Sequence, residues 1–120
     1  MSITIYHYPN CGTCKKARKW LAEQGREGDA AWVHLVEQTP SADTLRDLHE
    51  RSGLALKRFF NTSGRSYRSG NFKERLDGMS DADQYAALAA DGMLIKRPIL
   101  DTGAAVLVGF KAEAWAEALG

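Results

Sequence analysis

The chain alternates between short apolar segments and longer amphipathic ones, in an order that predicts a mixed α/β fold. Residues 3–8 alternate aliphatic and polar side chains and are rich in β-branched and aromatic types, which predicts a first strand. A helix is predicted from Cys11 to Gln24, because apolar residues recur there at helical spacing while Lys and Arg occupy the other face. Residues 31–37 predict a second strand, so the chain opens with a β–α–β unit.

The middle of the chain, residues 40–92, is predicted to be a helical insertion. Thr39 followed by Pro40 is typical of a helix start, with Thr as the N-cap and Pro at the first helical position. Ser80, with Asp83 three residues later, resembles a capping box and predicts a further helix. We therefore expect irregular, mainly helical structure between the second strand and the C-terminal part of the chain.

The C-terminal part predicts two strands and a closing helix. Residues 93–100 lead into a strand, because Pro98 disfavours helix at the residue before it. A turn at residues 101–103 joins this strand to a return strand at residues 105–110, and residues 111–119 form the last helix. The prediction is a mixed sheet with an opening β–α–β unit and a closing β–β–α unit, the plan of thioredoxin-like domains.

Composition narrows the class of protein. At 120 residues and 13.2 kDa, with 44% hydrophobic and 26% charged residues, the chain is expected to be a single globular domain over residues 1–120. A net charge of +1 gives no global basic field, so neither direct nucleic-acid binding nor membrane binding is expected. The segment from Met1 to Tyr6 lacks a basic region followed by an apolar stretch, which predicts no signal peptide and a cytoplasmic protein.

Two cysteines, Cys11 and Cys14, form a Cys-x-x-Cys motif at the start of the first predicted helix. Backbone N–H groups without intrahelical partners and the helix dipole favour a thiolate at Cys11, and Lys15 and Lys16 add positive potential. Cys14 lies one turn further along the same face, where it can attack a mixed disulfide formed on Cys11. This predicts Cys11 as the nucleophile and Cys14 as the resolving thiol, the alternative for Cys14 being a small buried hydrophobe.

A zinc site is the other chemistry that a Cys-x-x-Cys motif offers. Zinc usually takes four ligands, and only His7, His34 and His49 are available to complete the set. None of the three has finger-like spacing to the cysteines, so no bound metal is expected. The histidines are interpreted as ordinary strand and helix residues.

Cations near the motif are candidates for binding an anion. Four of the five residues at positions 15–19 are Lys or Arg. Such a run is typical of a solvated helix face, but here these cations also surround the approach to Cys11. Lys15 is therefore a candidate substrate-binding residue. Arg97 stands immediately before Pro98. A cis proline lies beside the active cysteine in thioredoxin-like domains, so Arg97 either aims a bidentate donor at an oxyanion or makes a surface ion pair.

Four segments together resemble the arsenate reductase family, including its Spx-type branch: Tyr8–Ala17, Phe59–Thr62, Lys96–Ile99 and Leu107–Phe110. The resemblance implies a thioredoxin-like fold with an inserted helical segment and no bound cofactor. It also implies a cysteine that attacks arsenate, an arginine cluster that binds the oxyanion, and reduction by glutathione and glutaredoxin or by thioredoxin. Cys11 matches the family's catalytic cysteine and Arg97 matches the arginine of its Arg-Pro element.

The chain also departs from typical glutaredoxin-coupled members. Two further family arginines would fall near Asn61 and Val106, and Arg65 or Arg68 is a candidate substitute for one of them. A second cysteine at the position of Cys14 is typical of the Spx-type regulators, which bind the RNA polymerase α subunit. The main hypothesis is a thiol-disulfide oxidoreductase acting on arsenate or a related thiol-reactive substrate, with a reductase of protein or glutathione disulfides as a variant. The alternative is a redox-sensing transcription regulator.

Overall fold

A computed structural model describes residues 3–120. Met1 and Ser2, which belong to the segment that predicts no signal peptide, lie outside the described residues. The strands are β1 (Ile3–His7), β2 (Ala30–His34), β3 (Ile99–Asp101) and β4 (Val106–Val108). The helices are α1 (Gly12–Glu23), α2 (Ala42–Ser52), α3 (Arg65–Ser69), α4 (Phe72–Arg75), α5 (Asp81–Ala90) and α6 (Ala112–Leu119). Short 3₁₀ turns occupy Glu27–Asp29, Leu56–Phe59, Leu76–Gly78 and Gly92–Leu94.

The described residues fall into two compact units. The segments up to His34 and from Arg97 onward form the first unit, and Leu35–Lys96 forms the second. The first unit contains the sheet, in the order β2-β1-β3-β4, with β1 parallel to β2 and antiparallel to β3. Strand β4 completes an antiparallel hairpin with β3. The predicted mixed sheet, with its opening β–α–β and closing β–β–α units, is confirmed, while the single domain over residues 1–120 stays a prediction.

The core of the first unit lies between the sheet and helices α1 and α6. Strand β1 alternates as its sequence predicts, with Ile3, Ile5 and His7 buried and the residues between them half-buried. Helix α1 buries the face predicted for it, including Cys14. The buried residues that pack together are Ile3, Ile5, Ala17, Leu21, Leu100, Trp115 and Leu119. Because His7 shares a face with Ile3 and Ile5, it lies on the core side of the sheet.

The second unit contains helices α2 to α5. The prediction that Thr39 and Pro40 begin α2 is wrong, since the N-cap is Ser41, whose hydroxyl accepts a hydrogen bond from the Thr44 N–H at 3.2 Å. The Thr39 hydroxyl instead donates to the Leu35 carbonyl at 2.7 Å, so the preceding turn already uses it. The predicted cap of α5 is confirmed, because Ser80 Oγ accepts from the backbone N–H three residues later at 3.1 Å.

Several boundaries differ from the predicted ones, for example that of β4, which spans Val106–Val108 rather than residues 105–110, and two of the differences have a tertiary reason. Strand β2 ends at His34 rather than at residue 37, because its partner in the parallel pair, His7, is the last residue of β1. Residues 61–66 are all polar or Gly and predict a loop, but helix α3 begins inside this segment, at Arg65. Its one buried residue, Tyr67, packs against Phe72 with ring centroids 6.1 Å apart, and this burial gives the short helix a core contact.

Candidate functional site

Cys11 stands at the junction between β1 and α1. A tight turn follows the strand, in which the Cys11 N–H donates to the Tyr8 carbonyl at 3.0 Å. Cys11 is the N-cap residue of α1, with an extended backbone at φ −83° and ψ 124°. The thiol therefore lies at the positive end of the helix dipole, next to N–H groups that no helical carbonyl accepts.

The surroundings of Cys11 favour its thiolate. Burial is the largest single influence on the pKa of Cys11 and raises it, but the hydrogen-bond donors around the sulfur together outweigh burial and hold the pKa below its ordinary value. These donors, in decreasing order of effect, are the backbone N–H of Cys14, the Cys14 thiol, the Arg97 guanidinium and the backbone N–H of Thr13. The half-buried thiol at Cys11 thereby ionises more readily than an ordinary cysteine, which suits it to act as a nucleophile.

The pKa of Cys14 is shifted upward, in the opposite direction to that of Cys11. Cys14 lies one turn into α1 and is 3% exposed, and burial raises the pKa of its thiol to about 12. The hydrogen bond that its thiol donates to Cys11 and the negative charge of that neighbour also favour the protonated form. Both cysteines are free thiols and lie close together, as their spacing predicts. The pair thus combines one thiol that ionises readily with one that keeps its proton.

Arg97 is the side chain that comes to the cysteines from outside α1. Its guanidinium acts as a hydrogen-bond donor to Cys11 and lies over the Tyr8 ring, 5.2 Å from the ring centroid. The Arg97–Pro98 peptide bond is cis, as in the thioredoxin-like arrangement used for the prediction. The next residues are fixed by the Gly109 N–H, which donates to the Pro98 carbonyl at 2.8 Å. The structure therefore brings together three predicted site residues, Cys11, Cys14 and Arg97.

Lys15 takes a different position from these three. Its side chain is exposed on α1 and lines a small pocket together with His7, Pro9, Cys14 and Arg18. Among the contacts of residues 3–120, none joins the Lys15 ammonium to the Cys11 sulfur. The assignment of Lys15 to substrate binding stays a prediction.

The positions of the two unmatched family arginines hold a loop residue and a core residue. Asn61 lies shortly after the 3₁₀ turn at Leu56–Phe59, and its N–H donates to the Leu94 carbonyl at 2.8 Å. Val106 is buried in β4 of the first unit. Of the candidate substitutes, Arg68 donates to the Ser63 carbonyl at 2.7 Å and Arg65 is exposed at the start of α3. Either assignment stays a prediction.

Two further features concern metals and membranes. Within residues 3–120, no three His, Cys, Asp or Glu side chains are grouped so as to hold a metal ion. None of the helices in the same part of the chain combines the length and the apolar character that a bilayer crossing requires.

Known proteins resemble this chain over nearly its whole length. A model of the ArsC family matches residues 6–118, which is nearly the whole chain. The chain belongs to the ArsC family. An ArsC family related protein from Bacteroides fragilis, whose crystal structure is known, has a TM-score of 0.92 and 39% identity, over 98% of this chain and 97% of that chain. This likeness confirms the predicted family and the thioredoxin-like fold with its inserted helical segment.

Relatives within the ArsC family differ in what their names state. The uncharacterized protein YusI of Bacillus subtilis is 54% identical, over 98% of this chain and 98% of its own length. An arsenate reductase of Acidiphilium multivorum is 29% identical, over 84% of this chain and 69% of its own. The regulatory protein MgsR of Bacillus subtilis is 23% identical, over 90% of this chain and 82% of its own. Family membership therefore supports thiol oxidoreductase-like chemistry, while both an enzyme and a regulator occur among the relatives.

The sequence predicts an ordinary strand residue at His7, whereas the structure places it in a small pocket that Cys14 also lines. The signal was the alternation of β1, which puts His7 on the same face as Ile3 and Ile5, under α1. Burial is the main influence that lowers the pKa of His7, followed by the charges of Arg18 and His34. His7 is thus a buried neutral imidazole next to the site.

Proposed function

We propose that this ArsC-family protein is a cytoplasmic thiol-disulfide oxidoreductase that reduces arsenate or a related thiol-reactive substrate. In this proposal Cys11 is the nucleophile, Cys14 is the resolving thiol and Arg97 orients the anionic part of the substrate. Glutathione with glutaredoxin, or thioredoxin, returns the oxidised protein to the dithiol form. The observation that carries the proposal is the set of donors around Cys11, with a second thiol among them.

The chemistry balances with the two cysteines alone. With a disulfide substrate, the Cys11 thiolate attacks one sulfur, forms a mixed disulfide and expels the other sulfur as a thiolate. Cys14 then attacks the Cys11 sulfur, which forms the Cys11–Cys14 disulfide and releases the second substrate thiolate with its electron pair. With arsenate, Cys11 attacks arsenic(V) and water leaves. Attack of a thiol on the Cys11 sulfur then returns the S–As electron pair to arsenic as arsenite.

Arg97 is suited to bind an anion at the Cys11 sulfur because its guanidinium is already there. The same donor that stabilises the Cys11 thiolate offers further N–H groups to an oxyanion or a substrate carboxylate. Asn61 and Val106 offer no charge at the positions of the other family arginines. Each missing charge-assisted contact is worth about 1.5–3 kcal/mol, so we expect a high KM for arsenate.

The test measures the reduction of arsenate and of a small disulfide, and NADPH consumption is the readout. Glutathione with glutaredoxin and thioredoxin with its reductase are supplied in parallel. Wild type is compared with Cys11→Ser and Cys14→Ser, and Arg18→Met serves as a control that removes a cation from α1. We expect Cys11→Ser to abolish turnover of both substrates, and Cys14→Ser to leave only turnover that an external thiol can complete.

The alternative function is a redox-sensing regulator, favoured by the Cys-x-x-Cys pair and by the similarity to MgsR. In that case the Cys11–Cys14 disulfide changes the affinity for a partner, for which the resemblance to the Spx-type branch suggests the RNA polymerase α subunit. Binding of purified α subunit is measured with the reduced and the oxidised protein. Redox-dependent binding together with no turnover of either substrate in both donor systems would replace the enzyme proposal with the regulator.

A further inference from the structure

Cys14 and His7 line one small pocket at the end of β1. The pocket has a volume of about 90 Å³, and its other lining residues are Pro9, Lys15 and Arg18. A water molecule occupies roughly 30 Å³ in the liquid, so the pocket has room for water. The pocket therefore places a buried thiol and a buried imidazole at one space that is large enough for water.

The imidazole of His7 is largely buried and makes no hydrogen bond to the described part of the protein. The His7 side chain is 8% exposed, yet within residues 3–120 neither ring nitrogen has a hydrogen-bond partner or is sealed from solvent. The neighbouring rings contact it edge-on, with centroid distances of 5.1 Å to Trp32 and 6.3 Å to His34. A buried imidazole usually hydrogen-bonds to a protein group or to ordered water, and here water in the pocket is the available partner.

The charges around His7 keep its imidazole neutral. Lys15 and Arg18 face it from α1, and His34 faces it from the adjoining position of β2. The cationic form is disfavoured by burial first, then by Arg18 and His34, which together lower the pKa of His7. A neutral imidazole at neutral pH can accept a proton.

We propose that His7 is the proton acceptor for Cys14 during disulfide formation, acting through water in the pocket that both residues line. This inference rests on the proposed function, because it assigns a base to the resolving step. In that step the proton of Cys14 passes through water to His7. The Cys14 sulfur forms a bond to the Cys11 sulfur, the bond from Cys11 to the substrate sulfur breaks, and the substrate thiolate leaves with the electron pair. His7 then returns the proton to solvent through the pocket.

The need for such a base follows from the position of Cys14. The thiol is buried and remains protonated at neutral pH, so without an acceptor only a minute fraction of molecules would hold the attacking thiolate. Formation of the mixed disulfide removes the negative charge from Cys11, so the thiol can then lose its proton more easily. His7 is therefore required after the first step and not before it.

The experiment separates the two steps with 5,5′-dithiobis(2-nitrobenzoate) in a stopped-flow instrument. Attack of Cys11 releases one nitrothiobenzoate in a first phase, and attack of Cys14 on the mixed disulfide releases another in a second phase. Cys14→Ser assigns the phases, because it should show the first alone. His7→Gln is compared with wild type between pH 5 and 10. The matched control is His34→Gln, which alters the neighbouring ring but not the pocket lining.

We expect His7→Gln to slow the second phase about 100-fold at pH 7, the lower end of the usual effect of a positioned base, and to leave the first phase unchanged. The rate of the second phase should then rise about tenfold per pH unit as hydroxide takes over the proton, whereas wild type should level off above the pKa of His7. His34→Gln should keep the second phase that His7→Gln slows, with the levelling-off moved to higher pH because His34 no longer lowers the pKa of His7.

Three results would overturn the inference: an unchanged ratio of the two rate constants in His7→Gln, a slowing confined to the first phase, or an unaltered pH profile. Since the ratio is the readout, a general disturbance that slows both phases equally also counts against it. Failure of the proposed function has a different signature, because the wild-type protein would then show no second phase.

Discussion

The contribution of Arg97 to the Cys11 thiolate can be measured directly. Of the four donors that lower the pKa of Cys11, two are backbone N–H groups that remain in any variant, and two are the side chains of Cys14 and Arg97. Replacing Arg97 with Met keeps much of the side-chain length and removes the charge and the donors. The variant therefore tests the one donor that comes from outside α1.

The expected change follows from the geometry of the cap. Hydrogen bonds to charged groups are worth about 1.5–3 kcal/mol, and one pKa unit corresponds to about 1.4 kcal/mol. The Arg97 guanidinium ranks third among the four donors that lower the pKa of Cys11, so the lower end of this range applies. Arg97→Met should raise the pKa of Cys11 by about one unit.

The assay is the pH dependence of alkylation by iodoacetamide, whose rate follows the thiolate fraction. Cys14 does not interfere below pH 9, because its pKa is about 12. Arg18→Met is the control, since that arginine pairs with Glu27 at 3.0 Å and is not among the groups that affect the Cys11 thiol. If Arg97→Met and Arg18→Met give the same alkylation midpoint as wild type, the guanidinium does not stabilise the thiolate and the reasoning is refuted.

Three further predictions concern stability. Gly92→Ala should lower the free energy of unfolding by several kcal/mol in urea titrations. The reason is that the new Cβ would lie 2.7 Å from the Leu35 carbonyl carbon and closer still to its oxygen. A loss below about 1 kcal/mol would contradict this close approach. Ser80→Ala should cost about 1 kcal/mol through loss of the cap on Asp83 N–H, with Ser80→Asn as the conservative control. Because the folded-state pKa of Cys14 is raised from 9.0 to about 12, its contribution to stability is complete below pH 9 and is lost as the pH rises toward 12. The difference in unfolding free energy between the reduced wild type and Cys14→Ala should therefore fall by up to about 1.4 kcal/mol per pH unit above pH 9, and a constant difference would count against it.

The sequence predicts the parts of the site that depend on local order along the chain. A strand, a break at Pro9 and a Cys-x-x-Cys motif at a helix start place Cys11 at the N-cap whatever the tertiary structure does. The Arg97–Pro98 pair is local in the same sense. The direction of a side chain depends on tertiary contacts as well. Arg97 reaches Cys11 because β1 pairs with the antiparallel strand β3, which follows Arg97 in the chain.

The parts that the sequence does not predict depend on contacts between distant segments. The alternation of β1 shows that His7 is buried, but only the packing of α1 on the sheet puts it in one pocket with Cys14. Thr39 illustrates the same limit in the second unit. Its type and its neighbour Pro40 both favour a cap, yet its hydroxyl donates to Leu35 instead, because the turn before the helix offers a free carbonyl.

The opposite pKa shifts of Cys11 and Cys14 follow from a separation of three residues along one helix. Cys11, at the cap, lies near N–H groups that have no helical partner, whereas Cys14, one turn inside, is more deeply buried, and the backbone N–H of Tyr8 offsets only part of that effect. If both thiols ionised together, two negative charges would repel each other across the site. Keeping the proton on Cys14 avoids that repulsion and supplies a donor to the Cys11 thiolate. The order of the proposed steps, attack by Cys11 before attack by Cys14, is thus favoured by the protonation states before any substrate arrives.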